Sequence, residues 1–252
     1  MTHPSFFTRL ELLTGADVAA ALQKCRVIVF GLGGVGSWCA EALVRSGVGR
    51  ISLVDSDSVC ASNINRQIQA ASSTIGRLKT AALEERLKDI NPDCEVAAFP
   101  RVFSRETAAL FDIAAADYVI DAIDSLTHKL DLIETAVAAG TGFFSSMGMA
   151  QKLDPTLIKS ADIWNTSGCP LARLVRQGLR KRGFRGSFTA VYSPERLPLR
   201  AIPPAEPDNS AGTAGAWDKG KKVINGSAVT VTAAAGLVLA SLVIKDVYAR
   251  HG

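Results

Sequence analysis

Apolar residues along this chain follow two alternating rhythms. Residues 25–31 (CRVIVFG) form a short β-branched run closed by glycine, the pattern of a strand buried on both faces. Residues 34–46 follow with apolar positions at helical spacing (Val35, Trp38, Ala42 and Leu43), and residues 50–55 (RISLVD) read as the next strand. Residues 76–91 carry the stripe Leu78, Ala82, Leu83 and Leu87 and stop at Asn91-Pro92, which predicts a helix. Further strands are expected at 95–99, 118–123 and 142–147, with helices at 105–114 and 126–139. This alternation predicts a Rossmann-like α/β fold, a mostly parallel sheet with helices on both faces. Ligands of such sheets bind outside the carboxyl ends of the strands.

Beyond residue 147 the rhythm changes. Strands expected at 152–159 and 187–192 flank a basic helix at 170–182, giving a smaller C-terminal α+β portion. Residues 203–222 are rich in Pro, Gly, Ala and Asp without periodicity, and read as a mobile loop. The apolar stretch 228–244 is dominated by Ala, Thr, Val and Ser and contains Gly236. It falls short of the ~20 strongly apolar residues of a membrane span, so a buried helix is expected and membrane association is not.

Composition narrows the class. A chain of 252 residues with 48% hydrophobic and 6% aromatic content is an aliphatic-rich globular protein. The net charge of +4 is too small to establish a nucleic-acid partner by itself. Five cysteines, Cys25, Cys39, Cys60, Cys94 and Cys169, include no Cys-x-x-Cys pair, which argues against a disulfide scaffold and a structural zinc site. The first thirteen residues lack the basic-then-apolar order of a signal peptide, and the expected compartment is the reducing cytoplasm.

The first candidate chemistry is the turn Gly31-Leu32-Gly33-Gly34-Val35-Gly36-Ser37, between an expected strand and an expected helix. Gly31 suits a tight turn, Gly33 admits a phosphate to the backbone, and Gly36 lets helix and strand pack closely. The helix start then offers unpaired amides and a positive dipole end. This motif alone fits a nicotinamide dehydrogenase equally well, as does Asp55, placed to accept hydrogen bonds from a ribose. What separates the two is the polar segment 57–67 with Asp57, Asn63 and Arg66, followed by Lys79. Cleaving a triphosphate demands cations on the leaving pyrophosphate, and an Arg and a Lys facing the turn supply them. Asp124, with Ser125 beside it, ends the strand at 118–123 and suits a magnesium ion held through one carboxylate.

GLGGVGS, SLVDSDSVCASNINRQ, IGRLK and DAIDS together resemble the ThiF/MoeB/HesA family, relatives of the ubiquitin-activating enzymes, across residues 26–150. The resemblance implies that ATP or its magnesium is contacted by Gly34, Asp55, Asn63, Arg66, Lys79 and Asp124. The full candidate set adds Gly31, Gly33, Gly36, Asp57 and Ser125. It further implies a homodimer in which Arg9 reaches the neighbouring subunit's phosphates, making Arg9, Arg66, Lys79 and Asp124 the catalytic candidates. The shared reaction is carboxylate adenylation, in which positioning and charge neutralisation do most of the catalysis. On this reading residues 1–150 are the adenylation core, and 151–252 are a substrate-binding and dimerisation portion of the same domain.

In the second half, SMGMAQKLDP, ADI, CPLAR and LRKRG resemble the branch of that family that dehydrates threonylcarbamoyladenosine in tRNA. The implied substrate is then a carboxylate borne by an anticodon loop, with a sulfur-acceptor system such as a cysteine desulfurase among the implied partners. Arg173, Arg176, Arg180, Lys181, Arg182 and Arg185 cluster on and after one helix and are candidate tRNA phosphate contacts. The same cluster also reads as a solvated helix face. The alternative is an adenylyltransferase acting on the C-terminal glycine of a ubiquitin-like sulfur carrier, whose members often carry two Cys-x-x-Cys pairs and a conjugating thiol. Cys169 is either such a thiol or a packed helix cap. Members of the tRNA branch often carry a cysteine where this chain has Asn225-Gly226-Ser227-Ala228.

Overall fold

The first apolar run becomes the centre of the sheet. In the computed structural model, which describes residues 6–197 and 225–252, strand β1 (Arg26–Phe30) is buried from Val27 onward. Val27 and Val29 face one core cluster while Ile28 and Phe30 face the other, as the two-residue strand period requires. Phe30 meets Phe103 and Phe111 edge-on, with centroids 5.1 and 5.2 Å apart. The expected loop at 203–222 lies outside the described residues.

Two short helices, α1 (Thr8–Thr14) and α2 (Ala16–Lys24), precede β1. The alternation then runs α3 (Gly36–Arg45), β2 (Arg50–Val54), α4 (Lys79–Ile90), β3 (Glu95–Phe99), β4 (Tyr118–Asp121), α5 (Leu126–Ala139) and β5 (Gly142–Ser146). It closes with β6 (Lys159–Asp162), α6 (Pro170–Lys181), β7 (Thr189–Tyr192) and α7 (Val229–His251). The strand order is β3-β2-β1-β4-β5-β7-β6. All neighbours pair in parallel except the edge strand β6, which runs antiparallel to β7. The order reverses between β1 and β4, so the ligand crevice of this doubly wound sheet lies at their carboxyl ends.

Two expected elements are corrected. Residues 105–114 are not an α-helix but two 3-10 turns, Ala108–Phe111 and Ile113–Ala115, parted by Asp112 at φ +46°. Phe111 and Ile113 both enter the same core cluster, and residues two apart cannot share one face of an α-helix. The strand expected at 152–159 begins only at Lys159. The preceding residues are organised instead by Glu195, whose carboxylate accepts the Leu153 and Asp154 N–H groups at 3.0 Å. The turn Pro155–Leu157 follows, capped by Asp154, which accepts the Thr156 N–H at 2.8 Å.

Helix α7 is long and apolar enough to cross a membrane by length and composition. Its buried residues Val231, Ala235, Leu239, Val243 and Val247 join the core cluster that holds Val27, Val29 and Leu43. At Gly236 a side chain would lie 2.4 Å from the Val35 carbonyl oxygen. Helix-to-helix approach at this point therefore needs glycine. That contact brings the C-terminal helix onto the start of α3.

Candidate active site

The glycine turn is built by three different steric demands. Gly31 takes φ +87° and donates its N–H to Val54 O at 2.8 Å, while a Cβ there would sit 2.7 Å from Ala122 O. Gly36 opens α3 so close to the strand end that a Cβ would lie 1.8 Å from Gly31 O. Gly33 is the reverse case, with no atom within 4 Å of where its Cβ would stand. Open space thus faces the backbone where α3 starts without a side-chain cap, leaving helix amides available to an anion. Ser37 is turned inward and donates its hydroxyl to Gly33 O at 2.7 Å.

Asp55, directly after β2, is stapled to this turn rather than solvated. Its Oδ2 accepts the Leu32 N–H at 2.7 Å and its Oδ1 the Asp57 N–H at 2.8 Å. Burial pushes the carboxyl pKa up, against the nearby Lys79 charge. Lys79, the first residue of α4, is itself buried, with Nζ 2.7 Å from Asp57 Oδ2 and 3.8 Å from Asp55 Oδ1. Burial works against its charge, but Asp55 and Asp57 outweigh it and hold the ammonium above the ordinary lysine range.

Asn63 is buried and accepts the Cys60 N–H at 3.1 Å, shaping the bend that precedes Arg66. The Arg66 guanidinium donates to Ser62 O at 2.8 Å and Asn65 Oδ1 at 2.9 Å, and the Trp38 indole N–H fixes its carbonyl at 2.9 Å. Its stem runs beneath Gly34, whose Cβ would stand 3.1 Å from Arg66 Cγ. Burial lowers the Arg66 pKa, and the charge of Asp124 opposes that effect. Asp124 is exposed at the end of β4 and acts electrostatically on both Arg66 and Lys79. Ser125 beside it is the N-cap residue of α5. The structure therefore brings the glycines, Asp55, Asp57, Asn63, Arg66, Lys79 and Asp124 together.

Arg9 lies elsewhere. It is exposed on α1, and its neighbour Phe7 packs 3.5 Å from the Cβ position of Gly47, just past the far end of α3. Ten residues of α3 put that end ~15 Å from the turn.

Several residues at the site carry no local sequence signal. Thr232 of α7 comes within 3.0 Å of the Gly34 Cβ position. Gln69 donates from Nε2 to Leu32 O at 2.8 Å. Asn65 donates to Ser227 O at 2.9 Å, and Gly226 O accepts the N–H of Gln151, which sits at φ +57°. The segment before α7 thus walls the Arg66 side of the crevice. Cys169 is buried at the N-cap of α6 with Sγ 3.9 Å from Gly148 O, a packed position.

The basic helix does not present all six cations alike. Arg182 donates to Asp131 at 2.7 Å and to Glu134 at 2.9 Å, beside Arg105, which binds the same two carboxylates. Arg176 donates to the Thr166 hydroxyl, and the Arg180 guanidinium lies 5.4 Å from the Trp164 ring centroid. Arg173, Lys181 and Arg185 are exposed. The helix starts near the carboxyl edge, where Leu171 packs 3.3 Å from the Gly148 Cβ position, and runs ~18 Å away from it over its 12 residues. The cations form a track along one flank rather than a ring around the glycine turn.

A doubly wound sheet whose open glycine turn packs on Arg66 and is tied through Asp55 to Lys79 defines an α/β protein suited to a polyphosphate nucleotide. Comparison with known proteins narrows the class. The ThiF family model matches residues 8–249, and the chain belongs to the ThiF family. It is 44% identical, over 75% of its length and 74% of the relative's, to the tRNA threonylcarbamoyladenosine dehydratase of Bacillus subtilis. It is 32% identical to the protein of that name from Escherichia coli, over 94% of this chain and 91% of the relative. Its structure resembles that of Escherichia coli TcdA in complex with ATP, with a TM-score of 0.83 and 31% identity, covering 98% of this chain and 95% of the other.

Proposed function

We propose that the chain is an ATP-dependent enzyme that activates the carboxylate of threonylcarbamoyladenosine in tRNA and promotes its cyclisation with loss of water. The observation that carries this reading is that Arg66 packs under Gly34 of the open turn while Asp124 acts electrostatically on both Arg66 and Lys79. Relatives bearing the name of that dehydration match along most of the chain.

ATP supplies an α-phosphorus that a carboxylate oxygen attacks, releasing pyrophosphate and leaving an acyl adenylate from which ring closure expels AMP. The residues present fit it. Gly33 leaves a cradle that any larger residue would fill, and the start of α3 supplies amides to phosphate oxygens. Each Asp55 oxygen accepts one N–H and retains a lone pair for a ribose hydroxyl. Arg66 and Lys79 neutralise the triphosphate, and Lys79 stays protonated because Asp55 and Asp57 hold its pKa up. Asp124 would hold magnesium through its carboxylate. The attacking carboxylate needs no general base, so the protein's work is positioning and charge neutralisation.

Arg9 serves a second subunit on this reading, since its own turn lies at the other end of α3. The chain acts as a homodimer with composite sites. Arg173, Arg176, Arg180, Lys181 and Arg185 track tRNA phosphates, with Arg182 largely spent on Asp131 and Glu134. Five free thiols and a tRNA substrate suit the cytoplasm. A cysteine desulfurase or another sulfur-acceptor protein remains a proposed partner.

Pyrophosphate exchange tests the substrate class. Exchange into ATP should be stimulated by threonylcarbamoylated tRNA and not by the C-terminal glycine of a ubiquitin-like sulfur carrier. The opposite preference would overturn the assignment.

A further inference from the structure

Asp121 and Lys129 form an ion pair of 2.8 Å in which both side chains are wholly buried. Neither belongs to the nucleotide-contacting set, and neither faces solvent. Every polar atom of the pair is nonetheless used. Asp121 Oδ1 accepts the Ile123 N–H at 3.0 Å. Asp121 Oδ2 accepts the Ser145 hydroxyl at 2.7 Å in addition to Lys129. Lys129 Nζ also donates to Ile123 O at 2.8 Å. The N–H and the carbonyl of one residue are thus each held by one member of a buried pair, and the next residue is Asp124.

A buried ion pair is poor evidence of stability, because apolar residues of similar volume commonly serve as well or better. What such a pair supplies here is geometry. The segment it grips is wedged under the glycine turn, since the Gly31 Cβ position lies 2.7 Å from Ala122 O and that of Gly36 lies 3.1 Å from Ala122 Cβ. The loop after β4 is therefore held at both Ala122 and Ile123. Asp124 is delivered at its end toward Arg66 and Lys79.

We propose that Asp121 and Lys129 are positioning residues, locking the backbone of Ile123 so that the Asp124 carboxylate is held beside Arg66 and Lys79, where it would hold magnesium. The inference rests on the ATP-adenylation reading above. A displacement of about 1 Å in a catalytic site can cost about a hundredfold in rate.

The test compares Lys129→Met, Lys129→Arg and the double variant Asp121→Asn/Lys129→Met with wild type and Asp124→Asn. ATP affinity is measured by calorimetry with magnesium and with chelator, alongside thermal midpoints and the kcat and KM of AMP formation. Lys129→Met alone strands a buried carboxylate and should lower the midpoint. The double variant removes both charges and should regain it. It should still behave like Asp124→Asn, losing the magnesium-dependent gain in ATP affinity and about a hundredfold in kcat, with chelator-measured ATP affinity unchanged. Lys129→Arg, which keeps the charge, should recover part of the gain. A double variant that regains both its midpoint and the full magnesium-dependent gain would overturn the proposal. The binding readout needs no turnover, so a failure of the adenylation reading would show separately, as wild-type protein that binds magnesium-ATP and forms no AMP.

Discussion

Gly34 and Thr232, from opposite ends of the chain, meet at the glycine turn: a Cβ on Gly34 would stand 3.0 Å from the Thr232 side chain. Thr232 is buried, with its hydroxyl donating back to Ala228 O at 3.2 Å within its own helix. The turn is therefore roofed by α7, and its shape depends on a residue no motif contains. Gly34→Ala should weaken ATP binding about tenfold. Adding Thr232→Gly, which removes both the Cβ and the hydroxyl that stand 3.0 Å away, should recover part of that loss, with a coupling of about 0.5–3 kcal/mol in a double-mutant cycle. Calorimetry with ATP on the four proteins checks it, and strictly additive losses would contradict it.

Gly33 and Gly36 should fail in opposite ways. Gly36→Ala places a methyl 1.8 Å from Gly31 O, so the protein should lose at least about 1–3 kcal/mol of stability. Gly33→Ala meets nothing within 4 Å. Its denaturation midpoint should match wild type while ATP affinity falls, because the methyl would fill the open space that the proposed site leaves for a phosphate. Urea titration and ATP binding on the same two variants separate these outcomes.

Arg182 should prove structural while its neighbours act on RNA. Burial tends to raise the Asp131 carboxyl, but Arg105 and Arg182 outweigh it and hold the pKa below the usual carboxylate range. A depressed folded pKa contributes stability that is present above the unfolded value and lost as pH falls through the folded one. Asp131→Asn should therefore lower the urea midpoint at neutral pH and differ less from wild type near about pH 3. Arg173→Ala, Lys181→Ala and Arg185→Ala should each reduce the salt dependence of tRNA binding by about 0.7–0.9 in log–log slope. Arg182→Ala should leave that slope nearly unchanged.

Arg9 makes a prediction about assembly. On the proposed composite-site dimer, Arg9→Ala and Arg66→Ala proteins should each be inactive alone, because each would spoil both sites. Equal mixing with subunit exchange should restore about a quarter of wild-type activity, since half the dimers regain one intact site. No recovery in dimers shown to exchange would place Arg9 outside the partner's site.

Much of this was legible in the chain because the signals are local. The buried run through Val27 and Phe30, the glycines after it, Asp55 and Asp124 lie at or just after strand ends, where sequence spacing translates into position. Arg66 and Lys79 lie instead in the long β2–α4 connection and at the start of α4, and were legible by the charge they carry. Residues 105–114 misled because Phe111 and Ile113 obey the demands of the core rather than a helical period. Thr232, Gln69 and the Asp121–Lys129 pair were invisible for a different reason. Their partners are set by packing between elements, and Lys129 reads in sequence as one more charge on a helix. The basic helix was visible as a cluster, but the diversion of Arg182 to Asp131 and Glu134 depends on α5 lying beside it.

The central claim is that the carboxylate attacked at this site belongs to tRNA. Purified protein incubated with ATP, magnesium and threonylcarbamoylated tRNA should convert the modified nucleoside to one lighter by a single water, with AMP and pyrophosphate formed in step. Arg66→Ala and Asp124→Ala should abolish the change. Mass spectrometry of the digested nucleosides reads it directly. An unchanged nucleoside from wild-type protein that binds ATP and the tRNA would contradict the account.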